Sequence, residues 1–262
     1  MPGTVFTTII ALFLCYMGLA ALAMFALASG RWRTARAAIA ISAALRADTQ
    51  PVIPRKARDA MALCLIQINL AEAEYNLGQW DAAKARLRNL ELSAWSHSIC
   101  RAGLLLQRAW IAAHEGDAAT ALDLCGCTRP AWLPRTYRAE YHFTKAAALL
   151  AGARFEEADA AASAGTASSM RASSKRNAMF LRAKIAAGKE DWTLAEQLCR
   201  TAAQHPYRSQ GGDGLLLRAE ALHHFGRHEE ARHALQLVIE RDPESAAAMT
   251  AASRQSRSQI AS

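Results

Sequence analysis

Few residues in this chain break a helix: seven prolines and fourteen glycines are spread over 262 positions, and alanine fills much of the hydrophobic half. That composition suits helices and starves strands. The six cysteines (Cys15, Cys64, Cys100, Cys125, Cys127 and Cys199) lack the dense, regular spacing of a disulfide-stapled secreted domain, and a reducing compartment fits them better. Charge is missing altogether before Arg31, while residues 31 to 60 carry seven basic side chains against two acidic ones. The +8 excess therefore gathers at one edge and leaves about +3 for the rest, which argues against a nucleic-acid protein, whose basic stripe spreads over the folded body.

The uncharged stretch is also apolar. Val5 to Ala28 is a run of 24 mostly hydrophobic residues, roughly 36 Å long as a helix and enough to span a bilayer with some tilt. MPGT supplies no basic lead for a cleavable signal peptide, and LFLC before residue 16 lacks the small residues of a lipidation site. Residues 1–30 are thus expected to form a single-pass transmembrane helix. Arg31, Arg33 and Arg36 follow the span with no basic residue before it, so the bulk of the chain is expected on the cytoplasmic side. Trp32 among those arginines suits the lipid headgroup layer.

Past this anchor the sequence repeats. LLLQRAWIAAHEGDAATAL (104–122) and LLLRAEALHHFGRHEEAR (215–232) share an apolar run, Arg-Ala, a glycine seven residues after that alanine and another alanine five further on. The same frame fits AEAEYNLGQWDAA (71–83), AAALLAGARFEEA (146–158) and AKIAAGKEDWTLA (183–195). The pattern resembles the tetratricopeptide repeat (TPR), a pair of antiparallel helices with small residues at repeat positions 8 and 20 and an aromatic near 17. Position 8 falls on Ala71, Ala109, Ala146, Ala183 and Ala219, and position 20 on Ala83, Ala121, Ala158, Ala195 and Ala231. All are alanine because the two helices cross there, and only a methyl lets their axes approach closely. Gly78, Gly116 and Gly226 permit the left-handed residue that ends the first helix. Position 17 holds Trp80, Phe155 and Trp192, but Ala118 and His228 in the other two units. Ala153 and Glu190 replace the turn glycine, and the spacing of 36 to 38 residues exceeds the 34 of the family.

The resemblance implies an all-α, right-handed superhelical solenoid of about five antiparallel helix pairs over residues 64–245, with a capping helix and tail over 246–262. Residues 31–63 form a basic juxtamembrane helix and linker, or a partial unit with Gly30, Trp32 and Ala35 in the repeat frame. In the family, first helices line the concave face. Position 5 there reads Ile68, Leu106, Phe143, Phe180 and Leu216, and the neighbouring groove positions add Tyr75, Trp110, His114, Lys184, Glu220 and His223. An apolar floor with mixed charges suits a peptide or helix docked by side-chain anchors, though position 5 equally suits packing between hairpins. The chaperone-binding members grip a terminal carboxylate with Lys at position 5 and Asn at 9. Ile68 and Glu72 stand there in the first unit, which argues against that ligand class.

Chemical motifs are scarce. His223, His224 and His228 fall on both sides of a turn and need not converge on a metal. SQGGDG (209–214) has no strand before it and no Gly-Lys-Ser/Thr after it, so it reads as a linker, as does the serine-rich stretch 163–175. No nucleophile, base and oxyanion grouping can be assembled, and no metal, cofactor, small-molecule substrate or nucleic acid is expected. The expected function is a membrane-anchored scaffold holding a protein or peptide partner. The alternatives are an envelope-side factor in protein assembly or secretion and a nucleic-acid-binding solenoid. A short anchor followed by repeats is similar in plan to the bacterial lipopolysaccharide assembly protein B family, but the paired Cys-x-x-Cys module of that family is missing here.

Overall fold

Alanine-rich segments bounded by single turn residues fold as helical hairpins. Every regular element among the described residues is helical: α1 (Ala57–Asn76), α2 (Trp80–Arg88), α3 (Ser98–His114), α4 (Ala118–Gly126), a short 3-10 turn (Pro130–Trp132), α5 (Arg135–Ala151), α6 (Phe155–Ser168), α7 (Ala172–Gly188), α8 (Trp192–Ala203), α9 (Gly211–His224), α10 (His228–Arg241) and α11 (Ala246–Ile260). The structure, a computed structural model, describes residues 22, 34, 36–38, 41, 57–88, 90, 98–169, 172–203, 211–241 and 243–260. The chain divides into two compact units, Met1–Ser96 and His97–Ser262.

In the second unit α3 pairs with α4, α5 with α6, α7 with α8 and α9 with α10. Each second helix also packs on the first helix of the next pair, and the first helices follow one another from α3 to α9, with α11 closing the series. This is an all-α arrangement of sequential antiparallel pairs, consistent with a repeat solenoid. The hairpin crossings lie where the repeat frame puts them, since all ten frame alanines are buried. Four residues after each position-20 alanine come Leu87, Cys125, Ala162, Cys199 and Leu235, again all buried.

The turns show the frame most sharply. Gly78, Gly116 and Gly226 have φ of 76°, 83° and 70°, and the two departures from glycine, Ala153 and Glu190, sit in the same region at 55° and 63°. Five hairpins therefore share one left-handed turn residue, although two lack the side chain that adopts it easily. At four of the five turns the next residue starts the second helix in one of two ways. Asp117 and Asp191 accept from the backbone N–H of Thr120 (3.1 Å) and Leu194 (3.0 Å) as N-caps. Arg154 and Arg227, at the equivalent position, instead clasp Glu157 and Glu230 through paired hydrogen bonds of 2.6 to 2.7 Å.

Successive hairpins are fitted at the wedge position. Phe155 lies so close to Gly188 that a Cβ there would stand 2.5 Å from the ring, Ala118 faces Gly152, and Trp192 stacks on His224 with centroids 5.1 Å apart. Glycine also admits Phe143 against α6, because a Cβ at Gly165 would be 2.5 Å from that ring. Two stretches expected as linkers are partly helical. Residues 163–168 complete α6, with Gly165 buried under Phe143, and α9 starts at Gly211, where Gly212 permits close approach to Ala247 and Asp213 places a carboxylate in the first turn.

In the first unit α1 and α2 pair around a carboxylate. Glu74 is 1% exposed and accepts from Arg86 through Nη2 (2.7 Å) and Nε (2.9 Å), while Arg86 also donates to Gln67 (2.6 Å). That bond to Glu74 holds the Arg86 pKa above its ordinary value. Removing one partner of such a buried pair costs about 3–5 kcal/mol. Arg36, assigned from sequence to the lipid headgroups, donates to Gln79 (2.7 Å) and stands 3.7 Å from Glu74, so its guanidinium is engaged with the hairpin. Arg31, Trp32 and Arg33 lie outside the described residues, as does the anticipated span over residues 1–30 apart from Leu22, which is helical. Among the described residues no helix is long and apolar enough to cross a membrane.

Candidate functional site

Three of the five position-5 residues are used for packing. Ile68, Leu106 and Phe143 are buried, whereas Phe180 and Leu216 are half-buried. Phe143 is only 2% exposed because the gap at Gly165 takes its ring. The surface that a ligand can reach therefore comes mainly from the positions beside this row.

On α3, Trp110 is half-buried and packs on exposed His114, with ring centroids 4.4 Å apart. The Nδ1 of His114 lies 3.0 Å from the Trp110 carbonyl; a carbonyl only accepts, so Nδ1 carries the proton. On α7, Lys184 sets its ammonium 4.7 Å from the Phe180 ring centroid, a cation–π contact worth roughly 0.5–1 kcal/mol at a partly exposed site. These two aromatic pairs, from hairpins not adjacent in sequence, are close enough to sense one another. Desolvation by surrounding protein pulls the His114 pKa down, the Lys184 charge lowers it further, and the Trp110 hydrogen bond and the Asp213 carboxylate on α9 act the other way. His114 is exposed, yet it shares its electrostatic surroundings with Lys184 of α7 and Asp213 of α9. Among the described residues no carboxylate lies within ion-pair distance of Lys184.

Toward α9 the first-helix face turns polar. Glu220 on α9 accepts from Arg254 of α11 at 2.6 Å. His223 and His228, expected to be separated by the turn, do meet: their Nδ1 atoms are 3.1 Å apart and one ring donates to the other. His224 is taken up by the stack on Trp192. The remaining groove residue, Tyr75, is half-buried on α1 in the first unit.

No family model, curated protein or solved structure matches this chain. The chemistry is therefore read from the side chains alone. Burial pushes the Cys125 thiol up to about 11 and the Cys199 thiol up to about 12, which makes both small core hydrophobes with little thiolate at neutral pH. Cys100 is buried as well, and Cys127 is exposed. A concavity of about 290 Å³ lies beside α6, α7 and α8 over Ile185, Leu194 and Leu198, with the Arg182–Asp159 ion pair (2.8 Å) on its wall. That volume is at the small end for ligand sites, enough for one or two side chains. Sequence reasoning missed this hollow and missed Asp213 and Arg254, because their roles depend on which hairpins face each other and no local pattern reports that.

Proposed function

We propose that the chain is a membrane-anchored scaffold of the TPR type, in which residues 64–245 form a right-handed solenoid and the first-helix face holds a peptide or helix of a cytoplasmic partner. The observations that carry this reading are the Trp110–His114 ring pair on α3 and the Phe180–Lys184 cation–π pair on α7, with His114 sensing the Lys184 charge; in this reading they line one recess, and Lys184 has no carboxylate at ion-pair distance among the described residues. Such a surface suits a ligand that inserts an apolar side chain and presents an acidic one to Lys184. A membrane anchor would add affinity by raising local concentration. In this reading residues 31–63 join anchor to solenoid and residues 246–262 cap it.

The experiment is capture of partners by the full-length chain and by the Trp110→Ala, Lys184→Ala double variant, with helical circular dichroism recorded on the same samples. Loss of two anchor contacts, at about 2 kcal/mol or more each for true hot spots, weakens capture by roughly 700-fold where the two add. An unchanged partner set from a folded double variant refutes the recess as the binding surface.

A further inference from the structure

The turn between α4 and α5, TRPAWLPR over residues 128–135, displays a side chain that the proposed groove does not use. Trp132 is 81% exposed, the highest value among the exposed large hydrophobics of the described residues. Its outward position is imposed by the chain. The N–H of Trp132 donates to the Arg129 carbonyl (3.2 Å) and that of Leu133 to the Pro130 carbonyl (3.1 Å). Arg138 reaches back to the Leu133 carbonyl (3.2 Å), Leu133 is buried, and Pro130 and Pro134 fix the backbone on either side. A turn held this way loses little further backbone freedom on docking.

Charge next to the indole in sequence is of one sign. From Leu124 to Ala139 the sequence contains Arg129, Arg135 and Arg138 and no acidic residue, and Arg129 and Arg135 are exposed. Protein hot spots sit inside a ring of contacts that excludes water; here the indole is 81% exposed, and Ala131 and Pro134, beside it in the chain, are exposed too. A nucleic-acid surface would need a longer basic stripe. A lipid headgroup layer needs neither, because it closes around an indole and supplies phosphate to the flanking guanidiniums.

We propose that this turn seats on an anionic phospholipid surface, with the Trp132 indole at headgroup depth and Arg129 and Arg135 against lipid phosphates. The inference rests on neither the recess nor the expected span. Its test uses the full-length chain with vesicles of phosphatidylcholine, alone or mixed with phosphatidylglycerol, carrying bromine near the headgroup end of the acyl chains. The Trp132 contribution is the difference in quenching between the wild-type chain and Trp132→Phe, which keeps an aromatic on an exposed site and so keeps the fold. Quenching of Trp132 is expected with phosphatidylglycerol present and not without it. In Arg129→Gln with Arg135→Gln the ratio of quenched to free Trp132 is expected to fall roughly thirty-fold, since each cation near such a surface contributes about 1 kcal/mol. Identical quenching of wild type and Trp132→Phe overturns the proposal. So does a Trp132 emission shift caused by polyuridylate alone, or by concentrating the protein without lipid.

Discussion

Two glycines in open space, one at a hairpin turn and one in a helix, should respond to the same substitution with opposite signs. Gly116 has φ of 83°, and a Cβ added there meets nothing within 4 Å; Gly126 ends α4 in helical conformation with equally free surroundings. Packing drops out of both comparisons, leaving only the backbone. At Gly116 an alanine takes on about 1–2 kcal/mol of left-handed strain, offset by the roughly 0.4–1 kcal/mol that a Cβ removes from unfolded-chain entropy. The net loss is about 0.5–1 kcal/mol. At Gly126 only the favourable part remains, so alanine adds about 0.5–1 kcal/mol. The argument inverts where the turn residue is not glycine: Ala153→Gly and Glu190→Gly, at φ of 55° and 63°, should each stabilise by a similar amount. The assay is thermal unfolding of the full-length chain followed by helical circular dichroism, where 1 kcal/mol moves the midpoint by about 2–4 °C at this size. If Gly116→Ala and Gly126→Ala shift the midpoint in the same direction, or if Glu190→Gly lowers it, the shared left-handed turn is wrong.

Three further outcomes follow from the packing and titration of named groups. Ala195→Leu, at a buried crossing of α7 and α8, should cost about 1–3 kcal/mol by overpacking, and Ser169→Leu, between α6 and α7, much less; equal urea midpoints would break the register. His114 and His142 both titrate below the ordinary imidazole value, chiefly through desolvation. The unfolded chain therefore takes up protons first, and stability should decline as pH falls through about 6.5, with His114→Asn flattening that decline in pH-dependent melts. An impermeant maleimide should label Cys127 in the native protein and reach Cys100, Cys125 and Cys199 only after denaturation. Subtracting the Cys127→Ser variant in sealed cells and in lysates then reports topology, since a cytoplasmic Cys127 reacts only after lysis.

The hairpin register was legible because a close helix crossing tolerates one kind of side chain, so the ten alanines mark it in any sequence order. The turns at Ala153 and Glu190 were less legible: their conformation is enforced by the helices on either side, against local preference. Position 5 was ambiguous, since an apolar residue reads alike whether it faces a ligand or a neighbouring helix, and only the void at Gly165 explains why Phe143 is buried. Contact of His223 with His228 depends on how tightly the Gly226 turn folds back, and the glycines of 211–214 looked like a loop because a residue that permits close packing between helices also marks turns. Arg36 was assigned by its place in a basic cluster, and its bonds to Gln79 and Glu74 come from residues more than thirty positions away.

The joints between hairpins also have a bearing on how such an array can be rearranged. Phenylalanine meets glycine at one joint, alanine meets glycine at another, and tryptophan meets histidine at a third. Each module thus carries a plug shaped for the socket of its own successor. Exchanging the third and fourth modules would drive Trp192 toward the gap shaped for Ala118 and leave Phe155 in front of His224. Shuffled chains should assemble poorly even with every alanine and every turn in register, and a transplanted module should regain its stability when its neighbour's socket travels with it. The order of the units is written into their interfaces, and the array has a fixed direction.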